Sequence, residues 1–98
     1  MTINRTQDGN ILTLAIEGRL DTMTSPELMA EFDRSLEDAG QLIIDCSGLE
    51  YISSAGLRAL LSAHKTMSGK DGMKLTNVNE IVQEVLGVTG LTDILDIE

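Results

Sequence analysis

Two adjacent hydroxyls, Ser53 and Ser54, are the residues of this chain best placed to do chemistry. They open the run Ser53-Ser54-Ala55-Gly56-Leu57, which lies between a strand-like segment, Leu42–Cys46, and a helix-like segment, Leu57–Met67. The first N–H groups of a helix lack internal partners, and the helix dipole leaves them partly positive. A serine there can cap the helix, with Ser54 the expected cap, and can carry a phosphate without electrostatic penalty. Arg58 follows Ser54 at the i, i+4 spacing that lets a guanidinium meet such a phosphate.

Other chemistries find less support. Nucleophilic serine catalysis needs a positioned base. The only histidine, His64, comes ten residues after Ser54 on the same predicted helix and cannot return to it. The single cysteine, Cys46, sits in an apolar run and reads as an inert buried thiol. Glu17, Asp21, Asp45 and Glu50 are the acids that could gather around Mg²⁺, but four among 16 acidic residues carry little weight. No glycine-rich phosphate loop with a lysine is present, and no cofactor is expected.

The elements that must position the serine turn follow from periodicity. Thr2–Thr6 and Ile11–Ile16 read as strands joined by Gln7-Asp8-Gly9-Asn10, a hairpin signal. Ile11–Ile16 is nearly all apolar and is expected to be covered on both faces. Gly18-Arg19-Leu20-Asp21 leads into a loop. Thr24-Ser25-Pro26-Glu27 then starts a helix with a hydroxyl cap and a first-turn proline. Leu28, Met29, Phe32, Leu36 and Ala39 share its face, and Gly40 is the expected C-cap. Leu42–Cys46 is the clearest buried strand. Gly48-Leu49-Glu50-Tyr51-Ile52 is expected as a loop that brings apolar groups and a tyrosine beside Ser54.

On the next helix Leu57, Leu60, Leu61, His64 and Ser68 share a face, and Gly69 with Asp71-Gly72 ends it. Met73–Thr76 is a short strand. Asn77 or Asn79 caps a last helix with Val78, Ile81, Val82, Val85 and Leu86 on its apolar face, closed by Gly87 and Gly90. Ile94–Ile97 is a weak final element. This alternation predicts one small α/β domain over 1–98, with a mixed, mostly parallel sheet and right-handed crossover helices. Contacts in such sheets gather at the carboxyl ends of the strands, where the serine turn lies.

Composition narrows the partners. A chain of 98 residues makes one domain, and 42% apolar residues suffice for a packed core. One Phe, one Tyr and no Trp leave little for stacking on bases. Seven basic residues against 16 acidic ones give a net charge of −9, which argues against phosphate-neutralising contact with nucleic acid. A partner with a basic or mixed surface fits better. No apolar stretch approaches the length needed to insert in a membrane, and no secretory signal is visible, so a cytoplasmic location is expected.

The run Leu42-Ile43-Ile44-Asp45-Cys46-Ser47-Gly48-Leu49-Glu50-Tyr51-Ile52-Ser53-Ser54-Ala55-Gly56-Leu57 resembles the central motif of STAS domains. It is especially similar to stand-alone bacterial anti-sigma factor antagonists. Glu17-Gly18-Arg19-Leu20-Asp21 and Val88-Thr89-Gly90-Leu91 match the segments before the first helix and after the last long one, so the resemblance spans essentially the whole chain. It implies a partner switch rather than an enzyme. The unphosphorylated antagonist binds an anti-sigma factor that is itself a GHKL-type serine protein kinase. Phosphorylation releases it, and a serine phosphatase resets it.

By position the resemblance assigns the phosphoacceptor to Ser54. Ser53, which stands where the family often has aspartate, is the lesser candidate. The partner-binding surface is assigned to Asp21, Glu50, Tyr51, Ile52, Ser53, Ser54, Ala55, Gly56, Leu57 and Arg58. Two other roles are compatible with the motif. One is a cytoplasmic STAS subunit of a membrane lipid or anion transport machine, which would bind constitutively. The other is a sensor of a nucleotide or small ligand, against which the missing phosphate loop speaks.

Overall fold

The computed structural model describes residues 1–98, and its elements alternate as the pattern of the chain predicts. Strands β1 (Thr2–Asp8) and β2 (Ile11–Leu20) form an antiparallel hairpin. Its two-residue turn is Gly9-Asn10, with φ +62° at Gly9 alone, the sign pattern of a II′ turn. Helix α1 (Ser25–Ser35) crosses to β3 (Gln41–Ile52), α2 (Ser54–Met67) crosses to β4 (Met73–Thr76), and α3 (Glu80–Val88) crosses to β5 (Asp96–Ile97). A short 3-10 turn, Leu91–Asp93, precedes β5. The sheet order is β1-β2-β3-β4-β5, and every pairing after the hairpin is parallel. Because each crossover steps the same way across the sheet, the amino ends of all three helices meet the carboxyl ends of β2, β3 and β4.

The core lies on one side of the sheet. Leu12, Leu14 and Ile16 of β2, Leu42, Ile44 and Cys46 of β3, and Met73 and Leu75 of β4 are buried, and the residues between them are not. Leu28, Phe32 and Leu36 from α1 and its C-cap, Leu60, Ala63 and Met67 from α2, and Val82 and Leu86 from α3 complete the same cluster. Each such large side chain contributes about 1.5–3 kcal/mol by leaving water, which exceeds a typical cap and explains why pattern set the architecture. The expectation that Ile11–Ile16 is covered on both faces does not hold. Ile11, Thr13 and Ala15 are only half-buried, because the buried residues of the three helices all join the cluster on the opposite face.

Several boundaries move for physical reasons. β3 continues through Gly48–Ile52, which therefore is strand and not loop. Its register against β2 slips between Ala15 and Glu17 and again between Gly18 and Arg19, and the ladder continues past both slips to Leu20↔Ile52. β2 likewise runs through Gly18–Leu20. Gly40 is not a C-cap, since α1 ends at Ser35 with Leu36 as its cap residue. The carbonyls beyond α1 are held instead by Lys70, whose Nζ donates to the oxygens of Leu36, Glu37 and Ala39 at 2.6, 2.9 and 2.9 Å.

The buried face of α2 is Gly56, Leu57, Ala59, Leu60, Ala63 and Met67. Leu57 and Leu60 of the predicted stripe lie on that face, but Leu61 and His64 are only half-buried and Ser68 is exposed. α3 is capped by Asn79, whose Oδ1 accepts the Val82 N–H at 2.8 Å. Ile81 on this helix is exposed, and Gly87 lies inside it rather than ending it.

Candidate functional site at the start of the second helix

The site is built from the ends of two neighbouring strands. Leu20 and Ile52 close β2 and β3, pair with each other and are buried. The chain then turns at Ser53, whose N–H donates to the Leu20 carbonyl at 2.9 Å. Ser53 is extended, with φ −101° and ψ 176°, and its Oγ accepts the Gly56 N–H at 3.5 Å. This is the geometry of an N-cap, and the cap is therefore Ser53 rather than Ser54. Ser54 is already the first helical residue, where a side chain no longer reaches the amide two or three positions on. It is exposed at the amino end of the helix.

Gly56 presses against the strand ends. A Cβ there would lie 2.8 Å from the Leu20 Cγ, 2.8 Å from the Ile52 Cγ1 and 2.9 Å from the Leu20 carbonyl oxygen. Ile52, Gly56 and Leu57 are buried and form the floor of the turn. Ser53, Ala55 and Tyr51 are half-buried, and Ser54, Glu50 and Arg58 stand in solvent above them. Arg58 follows Ser54 by one turn and makes no ion pair within the chain.

The loop after β2 borders the turn. Asp21 is the side chain that organises it. One carboxylate oxygen accepts the N–H groups of Met23 and Thr24 at 3.0 and 3.1 Å, while the Asp21 N–H donates to the Thr24 hydroxyl at 2.9 Å. The Thr24 hydroxyl in turn donates to the Arg19 carbonyl at 2.7 Å and makes no capping bond to α1. Partial burial pushes the Asp21 carboxyl up, but the hydrogen bonds from Thr24 and Met23, with Arg19 beside them, outweigh it and hold the group below its usual range.

Arg19 is the residue that sequence reasoning did not single out. It lies opposite Tyr51 in the β2–β3 ladder, with its guanidinium 4.4 Å from the ring centroid and 4.0 Å from the Asp21 carboxylate. The signal was the ladder itself, and two register slips hid it. Asn79 is a second case: besides capping α3, its Nδ2 donates to the Leu49 carbonyl at 2.7 Å and ties that helix to the strand leading to Ser53. Asn77 donates to Asp45 at 3.0 Å from a left-handed backbone, φ 56°.

Glu17, Asp21, Asp45 and Glu50 do not gather into a group that could hold a metal ion. Burial, with the Asp45 charge adding to it, pushes the Cys46 thiol up to about 12, so it carries no thiolate near neutral pH. What the arrangement presents is an exposed serine above a buried floor, with an exposed arginine one helical turn on.

The sequence model of the STAS domain matches residues 2–98. The chain belongs to the STAS domain family. This STAS domain is 29% identical over 92 residues to the anti-sigma-B factor antagonist of Bacillus subtilis, covering 93% of this chain and 84% of that protein. Its fold is similar to the crystal structure of an anti-sigma factor antagonist from Mycobacterium paratuberculosis, at 21% identity and a TM-score of 0.89, covering 98% and 83% of the two chains. It is also similar to the Bacillus protein SpoIIAA, an anti-sigma factor antagonist solved in two forms. The unphosphorylated form has a TM-score of 0.84 at 16% identity, covering 99% and 88%. The phosphorylated form has a TM-score of 0.76 at 15% identity, covering 99% and 91%. No helix of this STAS domain is long and apolar enough to cross a membrane.

Proposed function

We propose that this STAS domain is an anti-sigma factor antagonist that works by partner switching, with Ser54 as its phosphoacceptor. The observation that carries this reading is the division of labour at the turn. Ser53 caps the helix, and Ser54 stands exposed at its first position. The unphosphorylated protein offers the Ser54 surface, with Asp21, Glu50, Tyr51 and Arg58 around it, to an anti-sigma factor that is also a GHKL-type serine kinase. Kinship to the anti-sigma-B factor antagonist supports the partner, and the phosphorylated form of SpoIIAA supports the modification.

Modification transfers the γ-phosphoryl group of ATP to the Ser54 oxygen. The kinase takes the hydroxyl proton, and ADP leaves. The product carries about −1.5 to −2 charges at neutral pH. On the free domain the helix dipole and Arg58 offset that charge. In a complex the same dianion must be stripped of water or neutralised, so it breaks the contact without reshaping the fold. A serine phosphatase restores the hydroxyl.

The test is incubation with the candidate serine kinases of the parent organism and ATP, followed by peptide mass spectrometry and a binding assay. One phosphate localised to Ser54 by fragmentation of that peptide, with loss of kinase binding, is the expected result. Phosphate confined to Ser53, or a phosphorylated form that binds as tightly as before, overturns the assignment.

A further inference from the structure

α3 is apolar on two sides. Val82 and Leu86 enter the core. Ile81, Val85 and Val88 recur at i, i+4 and i+7, which sets them in a second stripe along the helix. Ile81 is 60% exposed and Val88 is 82% exposed, while Val85 is half-buried between them. With Glu84 and Thr89 they line a shallow hollow of about 250 Å³. A helix that is apolar on both sides is ordinarily covered on both. Here two large β-branched side chains face water.

Charge narrows what could cover them. α3 carries two acids, Glu80 and Glu84, and no base. At helical spacing both fall along the edge of the stripe away from the core, and Glu84 lines the hollow itself. A second copy would set these acids near their own equivalents in a chain of net charge −9. A cationic rim meets no such repulsion, and apolar anchors at i, i+4 and i+7 match the run of the stripe.

We infer that the outer face of α3 docks an amphipathic helix of a partner protein, with aliphatic anchors for the hollow and Lys or Arg beside them to meet Glu80 and Glu84. This surface makes no use of Ser54, so it stands or falls apart from the reading of that turn.

The probe is a synthetic helical peptide with leucines on one face flanked by lysines, titrated into the full ¹⁵N-labelled chain. Saturable amide shifts centred on α3 are expected. The same peptide with glutamates replacing the lysines should bind about tenfold more weakly or worse, and added salt should weaken the lysine peptide. The double variant I81S/V88S and the separate variant Glu84→Lys should each lose about tenfold in affinity. Failure to saturate, shifts centred elsewhere, or equal binding of the two peptides overturns the inference. So does a dimer in sedimentation equilibrium that I81S/V88S dissolves, since the occupant would then be a second copy.

Discussion

Gly56 and Leu20 touch so closely that a single methyl group cannot be added between them. A Cβ on Gly56 would sit 2.9 Å from the Leu20 carbonyl oxygen as well as 2.8 Å from its Cγ. The carbonyl cannot yield, because it also accepts the Ser53 N–H that starts the turn. The contact seats the amino end of α2 on the ends of β2 and β3, and so fixes where Ser54 stands.

Gly56→Ala is therefore expected to destabilise the domain, although alanine is the better helix former. Overpacking costs about 1–3 kcal/mol, against about 1 kcal/mol gained in helix propensity. The denaturation midpoint should fall. An unchanged or raised midpoint would show that the strand ends relax freely.

The two serines should separate in mutation. Ser53→Ala removes a cap whose bond is long, so a loss of about 0.5–1 kcal/mol is expected. Ser54→Ala should change stability by no more than a few tenths of a kcal/mol and abolish phosphorylation. Thermal melts with phosphorylation assays on both variants check this. The reverse pattern would return the cap to Ser54.

Lys70 reaches back to the end of α1 and donates to three carbonyl oxygens there. Lys70→Met keeps the aliphatic stem and removes the donors. It should cost about 1–2 kcal/mol, since the lysine is exposed and water replaces part of what is lost. Lys65→Met on the exposed side of α2 is the neutral control. Equal denaturation midpoints for the two variants would refute the clamp.

Asp45 links stability to acid. Its carboxyl is held below the usual 3.8 first by the Asn77 side chain and then by the Ser47 N–H. A lowered native pKa gives stability that is present above the unfolded value and is lost as pH falls through the native one. Asn77→Ala should thus lower stability near neutral pH and flatten its decline below about pH 4. An acid unfolding curve parallel to wild type would contradict the link.

Cys46 shows the opposite sign on the alkaline side. Its native thiol keeps its proton up to about 12, against an ordinary 9.0. Its stabilisation is complete below the unfolded value and declines from there up to the native one. Native protein should resist thiol reagents near pH 8 and react promptly in denaturant. Rapid labelling of the folded protein would mean that the strand opens locally.

The architecture was legible in the chain because it rests on side-chain periodicity. Leu12, Leu14 and Ile16, then Leu42, Ile44 and Cys46, alternate for one face of a sheet, and the spacing of Leu28, Phe32 and Leu36 is that of a helix. The local motif Ser53–Leu57 marked the start of α2, since helix starts are written in adjacent residues.

Tertiary structure alone decided which serine caps and which stands free, because that depends on how far β3 runs beyond Cys46 before it turns. It also decided that Arg19 lies over Tyr51, that Lys70 holds the end of α1, and that Ile81 and Val88 face water. Each of these joins segments that are distant in sequence or depends on strand register. Hydrophobic alternation constrains which face a residue takes, but not which residue on the next strand or helix it meets.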